Sequence, residues 1–345
     1  MKILVTGGAG FIGSNFIKYM LANYNYTIIN LDALTYAGDL GNLQQIENNK
    51  HYHFVAGNIC DRELLYRLFI KYEIDVVINF AAESHVDRSI DDPETFLKTN
   101  VLGTQTLLDV SNGYWRVESF NKQCKTFKKG VKFIQISTDE VYGTLGRNGY
   151  FTEKTNLAPN SPYSASKAAA DMLVRAYYET YGLPMNITRC SNNYGPHQFP
   201  EKLIPLTIHH ALQEKNLPIY GDGKQIRDWL HVNDHCRAID LVLHMGEIGE
   251  VYNIGGSNEK LNIEVVKYIL SELGKGENLI QFVEDRLGHD RRYAIDHSKI
   301  TKELGWMPLY TFEEGIKSTI DWYIENMEWL EQKQAFNVKQ EETNN

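Results

Sequence analysis

The chain has 345 residues, enough for one large domain or for two domains that share a cleft. Its net charge of −9 argues against nucleic acid or an anionic membrane as a general partner, and its 43% hydrophobic content is that of a globular protein. No apolar run approaches the ~18 residues that span a bilayer, and no charged leader precedes the first strand-like segment. We therefore expect a cytoplasmic protein.

Short β-branched segments alternate with segments of helical spacing through the first half of the chain. This alternation predicts an α/β fold with a doubly wound parallel sheet of the Rossmann type. We expect helices to begin near Gly10, Arg62, Pro93 and Tyr163. The predicted strands are Lys2–Thr6, Thr27–Leu31, His53–Ala56, Val76–Phe80, Val131–Ser137 and Asn186–Cys190.

Glycine and proline become frequent after Tyr194, and helical spacing recurs at Leu203–Gln213, Val232–Met245, Ile263–Leu273 and Phe312–Trp329. This pattern predicts a smaller, mixed α/β C-terminal domain that binds substrate and faces the carboxyl edge of the sheet. We accordingly expect a cofactor-binding domain over residues 1–193, with a return segment near 225–245, and a substrate domain over 194–331. Residues 332–345 are polar and are predicted to form a disordered tail.

A glycine-rich segment follows the first predicted strand and opens a helix. Gly7, Gly10 and Gly13 supply a tight turn, close backbone approach to a pyrophosphate and close packing of helix on strand. Asp32 ends the next strand, where a carboxylate accepts hydrogen bonds from ribose hydroxyls and repels a 2′-phosphate. The segment therefore predicts a dinucleotide site with NAD favoured over NADP.

The fourth predicted strand ends in Phe80-Ala81-Ala82-Glu83-Ser84 at the same sheet edge. Ligands of open parallel sheets bind at the carboxyl ends of the strands. The small Ala81 and Ala82 would let a cofactor approach the backbone, and Thr99 and Asn100 would reach the same groove. We expect this segment to form a second wall of the cofactor site.

Two carboxylates follow a hydroxyl at the end of the fifth strand, in Thr138-Asp139-Glu140. Tyr163 and Lys167 follow, and residues four apart on a helix are neighbours. The charge of Lys167 would lower the pKa of the Tyr163 phenol, which is about 10 in free tyrosine, and make it a usable base. Simple hydride transfer needs no second acid/base couple, so Asp139 and Glu140 predict further proton transfers.

Several polar side chains of the second half suit a phosphorylated or sugar ligand. Guanidinium groups match phosphate oxygens, which predicts diphosphate contacts for Arg227 and Arg292, although each would also suit a surface salt bridge. Asn192 and Asn262 offer amides for phosphate or sugar, and Lys202 offers a charge for phosphates.

The histidines carry a less specific signal. His85 follows the fourth strand and suits either a place in the cleft or simple packing. His209, His210, His231 and His235 lie on helical or turn segments without the carboxylates of a metal site. We therefore predict no metal.

With these segments in view, the chain resembles the extended short-chain dehydrogenase/reductase family and, within it, the dTDP-glucose 4,6-dehydratases. The resemblance runs from about Lys2 to Trp329. The glycine motif and the Tyr163–Lys167 pair are shared across the superfamily, whereas Thr138-Asp139-Glu140 and two late arginine motifs are more specific. The matching segments also include residues 31–38, 83–90, 189–196, 201–205, 227–229 and 288–293.

The resemblance implies an NAD-dependent hydro-lyase of deoxysugar (rhamnose-type) biosynthesis. It oxidises dTDP-glucose, eliminates water and reduces the product to dTDP-4-keto-6-deoxyglucose, with NAD retained. The implied catalytic residues are Thr138, Asp139, Glu140, Tyr163 and Lys167. The implied cofactor-binding residues are Gly7, Gly10, Phe11, Ile12, Gly13, Asp32, Leu34, Thr35, Asn58, Ile59, Phe80, Ala81, Ala82, Ser84, Thr99, Tyr163, Lys167 and Asn193. The implied substrate-binding residues are His85, Thr138, Asn192, Lys202, Leu203, Arg227, Asn262, His289, Arg292 and Tyr293.

Two positions depart from the family pattern. Asn58 stands where the family usually has an acidic residue that accepts from the adenine amino group, so adenine binding is expected to lack charge assistance. Leu287 stands where a proline is common, which bears on loop stiffness more than on chemistry. Neither departure removes a catalytic group.

Other functions within the same fold remain open at this point. A nucleotide-sugar 4-epimerase would share NAD, Tyr163 and Lys167 but would not need Asp139 and Glu140. A nucleotide-sugar decarboxylase would carry a Glu at the second position without the full Thr-Asp-Glu set, and a non-catalytic regulator would bind nucleotide without chemistry. The residues do not show whether the base is thymine, uracil, cytosine or guanine, nor which pathway uses the product.

The helices at Pro93–Val110 and after Tyr163 are apolar over more than the stripe that one sheet would cover. Two such helices can pair with their symmetry mates, and related enzymes dimerise in this way. We therefore expect a homodimer with a four-helix interface.

Overall fold

The structure is a computed structural model that describes residues 1–118, 121 and 123–334. Within the described residues, seven parallel strands form the central sheet, in the order β10-β6-β5-β4-β1-β2-β3. Two smaller sheets, β11-β9-β7 and β12-β8, belong to the second half of the chain. The strands are β1 Lys2–Thr6, β2 Thr27–Asp32, β3 Tyr52–Ala56, β4 Val76–Asn79, β5 Lys132–Thr138, β6 Met185–Cys190, β7 Asn192–Tyr194, β8 Leu217–Tyr220, β9 Ile226–His231, β10 Val251–Ile254, β11 Glu259–Leu261 and β12 Ile280–Val283.

The helices cover both faces of the central sheet. A π-helical segment, Leu97–Gly103, joins α4 to α5, and residues 327–334 are also helical. The α-helices are α1 Phe11–Asn23, α2 Arg62–Tyr72, α3 Val86–Asp91, α4 Pro93–Phe96, α5 Thr104–Trp115, α6 Pro162–Tyr181, α7 Leu203–Leu212, α8 Val232–Met245, α9 Asn262–Glu272, α10 Ser298–Leu304 and α11 Phe312–Glu325.

Alternation along β1 divides the core into two layers. Leu4 packs with residues of α2, α5 and α6 on one face of the sheet. Ile3 and Val5 pack with residues of α1 and α8 on the other. Both faces are apolar because parallel strands that are covered on both sides must bury every side chain.

The strand order places the site. β1 lies between β2 and β4, and β4 also pairs with β5. The chain therefore runs from β1 to β2 on one side and from β4 to β5 on the other side. A crevice forms where the connections diverge, at the carboxyl ends of these strands. The glycine-rich segment after β1 and the Phe80–Ser84 segment after β4 both lie at this crevice.

The fold class is as predicted, but the boundaries between the two halves differ from the prediction. β7 pairs with β9 in a small sheet, so the substrate half already begins at Asn192. In the other direction, α8 packs against α1, and β10 pairs with β6 as an edge strand of the central sheet. The chain thus returns to the cofactor half over 232–254, further than the predicted 225–245.

The predicted disordered tail is wrong at its start. Residues 332–334 continue a helix, and Lys333 forms an ion pair with Asp39 at 2.5 Å. Gln334 donates to the carbonyl of Pro200 at 3.2 Å. The contacts come from a distant surface that local composition does not reveal. The rest of that predicted tail lies outside the described residues.

Candidate active site

The turn from β1 into α1 accepts only glycine at its key positions. Gly7 has a φ of +67°, and a Cβ there would lie 2.7 Å from the Cα of Ala81. A Cβ on Gly13 would lie 2.4 Å from the Gly7 carbonyl oxygen. Helix α1 begins at Phe11, and its N-cap residue, Gly10, has no side chain to cap it. The first N–H groups of the helix, including those of Phe11 and Ile12, are therefore free to bind an anion.

Asp32 braces this turn from the end of β2. Its two carboxylate oxygens accept from the N–H groups of Ala9 and Leu34, each at 2.8 Å. Burial raises the pKa of Asp32, and the two backbone bonds oppose that rise. Leu34 is left-handed (φ 50°), and the Thr35 carbonyl accepts from Gly38, so the chain turns away at the strand end. The arrangement fits the pyrophosphate and ribose of a dinucleotide.

The wall after β4 is held by a buried asparagine. Asn100 accepts from the Glu83 N–H at 2.9 Å, donates to the Glu83 carbonyl at 3.0 Å and donates to Ser166 at 2.8 Å. The segment Phe80–Ser84 is therefore fixed to helix α6, with Ala81 against Gly7. Thr99 is half-buried beside Asn100 in the π-helical segment. Asn100 acts as a brace here, a role that the sequence did not suggest.

Three further predicted cofactor residues lie in separate places. Asn58 follows β3, and its amide oxygen accepts from the Cys60 N–H at 2.8 Å. Part of the acceptor capacity that was expected for adenine is therefore used within the turn. Ile59 is buried in the core. Asn193, in β7, is 2.9 Å from the Nδ1 of His235 and lines the large cleft between the halves.

Thr138 and Tyr163 meet where β5 ends and α6 begins. Thr138 caps the short helical turn 139–142 and accepts from the Glu140 N–H at 3.3 Å. The Thr138 hydroxyl donates to Asp139 at 3.3 Å, and its nearness to Tyr163 lowers the pKa of that phenol. Helix α6 begins with a capping box formed by Ser161 and Ser164, which sets Tyr163 in the first turn.

The predicted effect of Lys167 on Tyr163 is not seen in this structure. Burial, followed by the charge of Glu140, raises the pKa of Tyr163 well above its usual range. Lys167 is buried and donates to the Ile136 carbonyl at 2.7 Å, and burial lowers its pKa. Helical spacing predicted the shared face correctly. It could not predict that the ammonium would be held on the backbone of β5.

Asp139 and Glu140 occupy different surroundings. Burial raises the pKa of Asp139 well above its usual range, and the neighbouring charges of Glu140 and Asp228 add to this rise. Burial also raises the pKa of Glu140, but Arg227, with smaller contributions from Lys202 and Arg286, opposes it. Both pKa values are therefore raised, and that of Asp139 is raised further because the charges of Glu140 and Asp228 add to the effect of burial.

A cleft of about 1280 Å³ lies between the two halves and reaches Glu140. Most of the predicted substrate residues line it, namely His85, Asn192, Lys202, Leu203, Arg227, Asn262, His289 and Tyr293, together with Ser84. The amide oxygens of Asn192 and Asn262 are buried without a hydrogen-bond partner among the described residues. Such unpaired acceptors fit the donor groups of a ligand.

Arg227 is held in place by the segment 285–293. Its guanidinium donates to the carbonyls of Ile226 at 2.8 Å and of Asp290 at 3.0 Å, and it lies 4.3 Å from the Tyr293 ring centre. Tyr293 in turn donates to the Asp290 carboxylate at 2.6 Å. This places a fixed cation close enough to Asp139 and Glu140 to lower the pKa of each.

Arg292, for which a diphosphate contact was predicted, is not among the residues that line the cleft. Both oxygens of Glu259 accept from its guanidinium, at 2.7 and 2.9 Å, and the Gly149 carbonyl accepts a third bond at 2.9 Å. Arg286 lines the cleft instead and pairs with Asp87 at 2.5 Å. No role was predicted for Arg286, which lies two residues before the late motif at 288–293.

A buried carboxylate that sequence reasoning missed joins the two halves. Glu201 lies 3.6 Å from His85 and Lys202, 3.7 Å from Arg88, and 3.3 Å from the Tyr36 hydroxyl. Burial, with the nearby cations, lowers the pKa of His85 to about 2, so its imidazole is neutral. His85 Nδ1 accepts a hydrogen bond from the Arg88 N–H. The neutral imidazole therefore carries its proton on Nε2, the nitrogen that lies 3.6 Å from Glu201.

No group of His, Cys, Asp and Glu among the described residues has the arrangement of a metal site. Over the same residues, no helix is long and apolar enough to cross a membrane.

Comparisons with known proteins agree with this geometry. The family model for GDP-mannose 4,6 dehydratase matches residues 4–319. A dTDP-glucose 4,6-dehydratase of Xanthomonas campestris is 55% identical over 337 residues, which cover 95% of this chain and 94% of the relative.

Solved structures of relatives give the same answer. A dTDP-glucose 4,6-dehydratase from Bacillus anthracis in complex with NAD has a TM-score of 0.87 and 54% identity, and the match covers 96% of this chain and 99% of that one. A dTDP-glucose 4,6-dehydratase from Streptomyces venezuelae, also with NAD bound, has a TM-score of 0.89 and 46% identity over 96% of this chain and 100% of that one. The chain therefore belongs to the nucleotide-sugar 4,6-dehydratase family of extended short-chain dehydrogenases/reductases.

Proposed function

We propose that this protein is a dTDP-glucose 4,6-dehydratase that retains NAD and forms dTDP-4-keto-6-deoxyglucose. The observation that carries the proposal is the pair Asp139 and Glu140, two buried carboxylates beside Thr138 and Tyr163, of which Asp139 has the more strongly raised pKa. Oxidation of the sugar alone would need only the hydroxyl groups of Thr138 and Tyr163 for proton transfer. The elimination of water needs both a base and an acid, and this pair supplies them.

Tyr163 and Thr138 handle the proton of the sugar's 4-hydroxyl in the oxidation. Thr138 lowers the pKa of the Tyr163 phenol and so favours its tyrosinate form, and Lys167 is the buried cation on the same helix face. When bound, NAD takes a hydride from carbon 4 and later returns it to carbon 6. The glycine-rich turn, Asp32 and the wall at Phe80–Ser84 bind and orient that cofactor.

Glu140 and Asp139 divide the elimination between them. The new ketone at carbon 4 acidifies the hydrogen on carbon 5, which Glu140 removes. Asp139, kept neutral by burial and by neighbouring carboxylates, donates its proton to the departing 6-hydroxyl. The same groups return a proton to carbon 5 in the final reduction.

The nucleotide end of the substrate lies in the second half of the chain. Arg88, Arg227 and Arg286 line the cleft, and we assign the diphosphate to Arg227 and Arg286 together with Lys202. Asn192 and Asn262 accept from ligand groups through their unpaired amide oxygens. In this assignment residues 1–191 and 232–254 hold the cofactor, and the rest of the described second half holds the substrate.

Incubation with dTDP-glucose tests the proposal directly. We expect a product lighter by one water, formed without added NAD by protein that has been purified with its cofactor. A product of unchanged mass would indicate a 4-epimerase. Binding of NAD and sugar nucleotide without any transient NADH would indicate a non-catalytic regulator. Turnover on dTDP-, UDP-, CDP- and GDP-glucose then identifies the base.

The proposed assembly is a homodimer through the helices that span 93–115 and α6. Leu97, Leu102 and Met172 are each more than half exposed on these helices, which is unusual for large apolar side chains. Burial of this face against a second copy would form a four-helix interface. Light scattering at micromolar concentration should give twice the chain mass, and a monomer would rule the assembly out.

The cellular setting follows from the reaction. We propose a cytoplasmic enzyme of deoxysugar synthesis, of which rhamnose formation is one route. Extracts of cells that lack the protein should accumulate dTDP-glucose.

A further inference from the structure

The last helical residues pack into the core of the substrate half. Leu330 is fully buried, and the ring of Trp329 belongs to an aromatic cluster with Trp322, Tyr323 and His197, in which ring centres are 4.5–6.3 Å apart. Residues 327–334 are thus a fixed part of the structure.

Trp329 also makes a polar contact across the two halves. Its indole N–H donates to the side-chain oxygen of Asn42 at 3.1 Å. Asn42 is buried, and its amide nitrogen donates to the carbonyl of Ala9 at 2.9 Å. Ala9 lies between Gly7 and Gly10, so one side chain links the C-terminal helix to the glycine-rich turn.

The peptide groups of Ala9 are held from several sides. Its N–H donates to Asp32 at 2.8 Å, and its carbonyl accepts a second bond from the Asp39 N–H at 3.0 Å. The Asp39 carboxylate forms the ion pair with Lys333 at 2.5 Å. Both residues that donate to the Ala9 carbonyl, Asn42 and Asp39, therefore contact residues 327–334.

We propose that Trp329, acting through Asn42, is a positioning residue for the glycine-rich turn and thereby for retention of the dinucleotide. The inference rests on the proposed NAD site. Neither residue touches the cofactor in this scheme, and neither takes part in the chemistry. The sequence could not show the link, because Trp329 and Asn42 are 287 residues apart.

The physical argument concerns the side-chain amide of Asn42. With Trp329 in place, the amide oxygen has a donor, and the nitrogen is directed at Ala9. Without that donor the amide is free to rotate, and the bond to the Ala9 carbonyl weakens. A pyrophosphate binds the free N–H groups of this turn, so its affinity depends on how well the turn is held. An enzyme that reuses one cofactor molecule needs that affinity.

The test compares two tryptophans of one cluster. Trp329→Phe removes the indole N–H and keeps an aromatic ring. Trp322→Phe is the matched control, because Trp322 lies 5.4 Å from Trp329 and, among the described residues, makes no bond to 39–46 or to the glycine-rich turn. We expect the Kd of the cofactor-free protein for NAD to rise about fivefold in Trp329→Phe, the effect of one neutral hydrogen bond. It should change less than twofold in Trp322→Phe.

A double-mutant cycle with Asn42→Ala separates positioning from loss of packing. If Trp329 acts through Asn42, Trp329→Phe should weaken NAD binding no further in the Asn42→Ala background. Equal effects of the two tryptophan variants on the Kd, or additive effects in the cycle, would overturn the inference. Wild-type protein that binds no NAD would overturn the proposed function instead, so the two failures are distinguishable.

Discussion

The cofactor half and the substrate half of the cleft are built in different ways. The cofactor half uses the backbone of short contiguous segments, such as the turn from Gly7 to Gly13, in which a missing Cβ permits the approach of Ala81. The substrate half uses long side chains from separate segments, each held by its own partner, such as Arg227 and Arg286. A site of the first kind is encoded by local sequence. A site of the second kind depends on which partner each side chain meets.

The largest effect should come from Glu140, which belongs to the cofactor half and lines the cleft between the two halves. Glu140→Gln should lower turnover of dTDP-glucose by about 10²–10⁴-fold, since it removes the base at carbon 5 but leaves the oxidation. Rapid mixing should then show NADH absorbance that rises and persists. Tyr163→Phe is the contrasting variant, because loss of its proton transfer should prevent NADH formation. Dehydration by Glu140→Gln at the wild-type rate would refute the assignment of the base.

The second prediction compares two arginines that the sequence treated alike. Arg227→Lys should raise the KM for the sugar nucleotide by about 10–100-fold, because a lysine loses the fork geometry. Arg292→Lys should leave KM within about twofold and lower the free energy of unfolding by about 1–2 kcal/mol, because it breaks the paired bonds to Glu259. Steady-state kinetics and urea unfolding check both. If Arg292→Lys raised the KM as much as Arg227→Lys does, Arg292 would contact the substrate.

These arginines show what the sequence can predict. The glycine turn, the strands and the Thr138-Asp139-Glu140 segment are local, and the structure places them as expected. The direction of a guanidinium group depends on a carboxylate elsewhere in the chain, Asp87 for Arg286 and Glu259 for Arg292. Charge and spacing along the sequence do not identify these partners. For the same reason the buried Glu201 and the brace at Asn100 were missed.

The third prediction concerns the pH dependence of kcat/KM. Glu140 must be ionised, so activity falls as the pH drops through its raised pKa. Asp139 must be neutral, so activity falls as the pH rises through its own raised pKa. Asp228→Asn removes a negative charge that raises the pKa of Asp139, and should move the alkaline limb down by about one pH unit.

Asp290→Asn is the matched control for this prediction, since the charge of Asp290 raises the pKa of Glu140 and not that of Asp139 among its main causes. It should move the acid limb to lower pH and leave the alkaline limb in place. Because the titrations of Asp139 and Glu140 are coupled, the two limbs of the pH profile give apparent pKa values of the pair and not of either residue alone. An unchanged alkaline limb in Asp228→Asn would contradict the role given to Asp139.

The smallest expected effect lies in the cofactor half, where one side chain departs from the family pattern. Asn58 uses its amide oxygen on the Cys60 N–H at 2.8 Å and presents a nitrogen donor with its other atom. Asn58→Asp would keep the bond to Cys60 and replace that donor by a charged acceptor for the adenine amino group. We expect the Kd for NAD to fall about threefold, with turnover unchanged once the cofactor is saturating.

Calorimetry on cofactor-free protein measures this change, and Asn58→Ser serves as the control that adds no charge. Weaker binding by Asn58→Asp would mean that adenine does not lie against this turn, so that the backbone of the glycine-rich segment and Asp32 hold the cofactor without help from the end of β3.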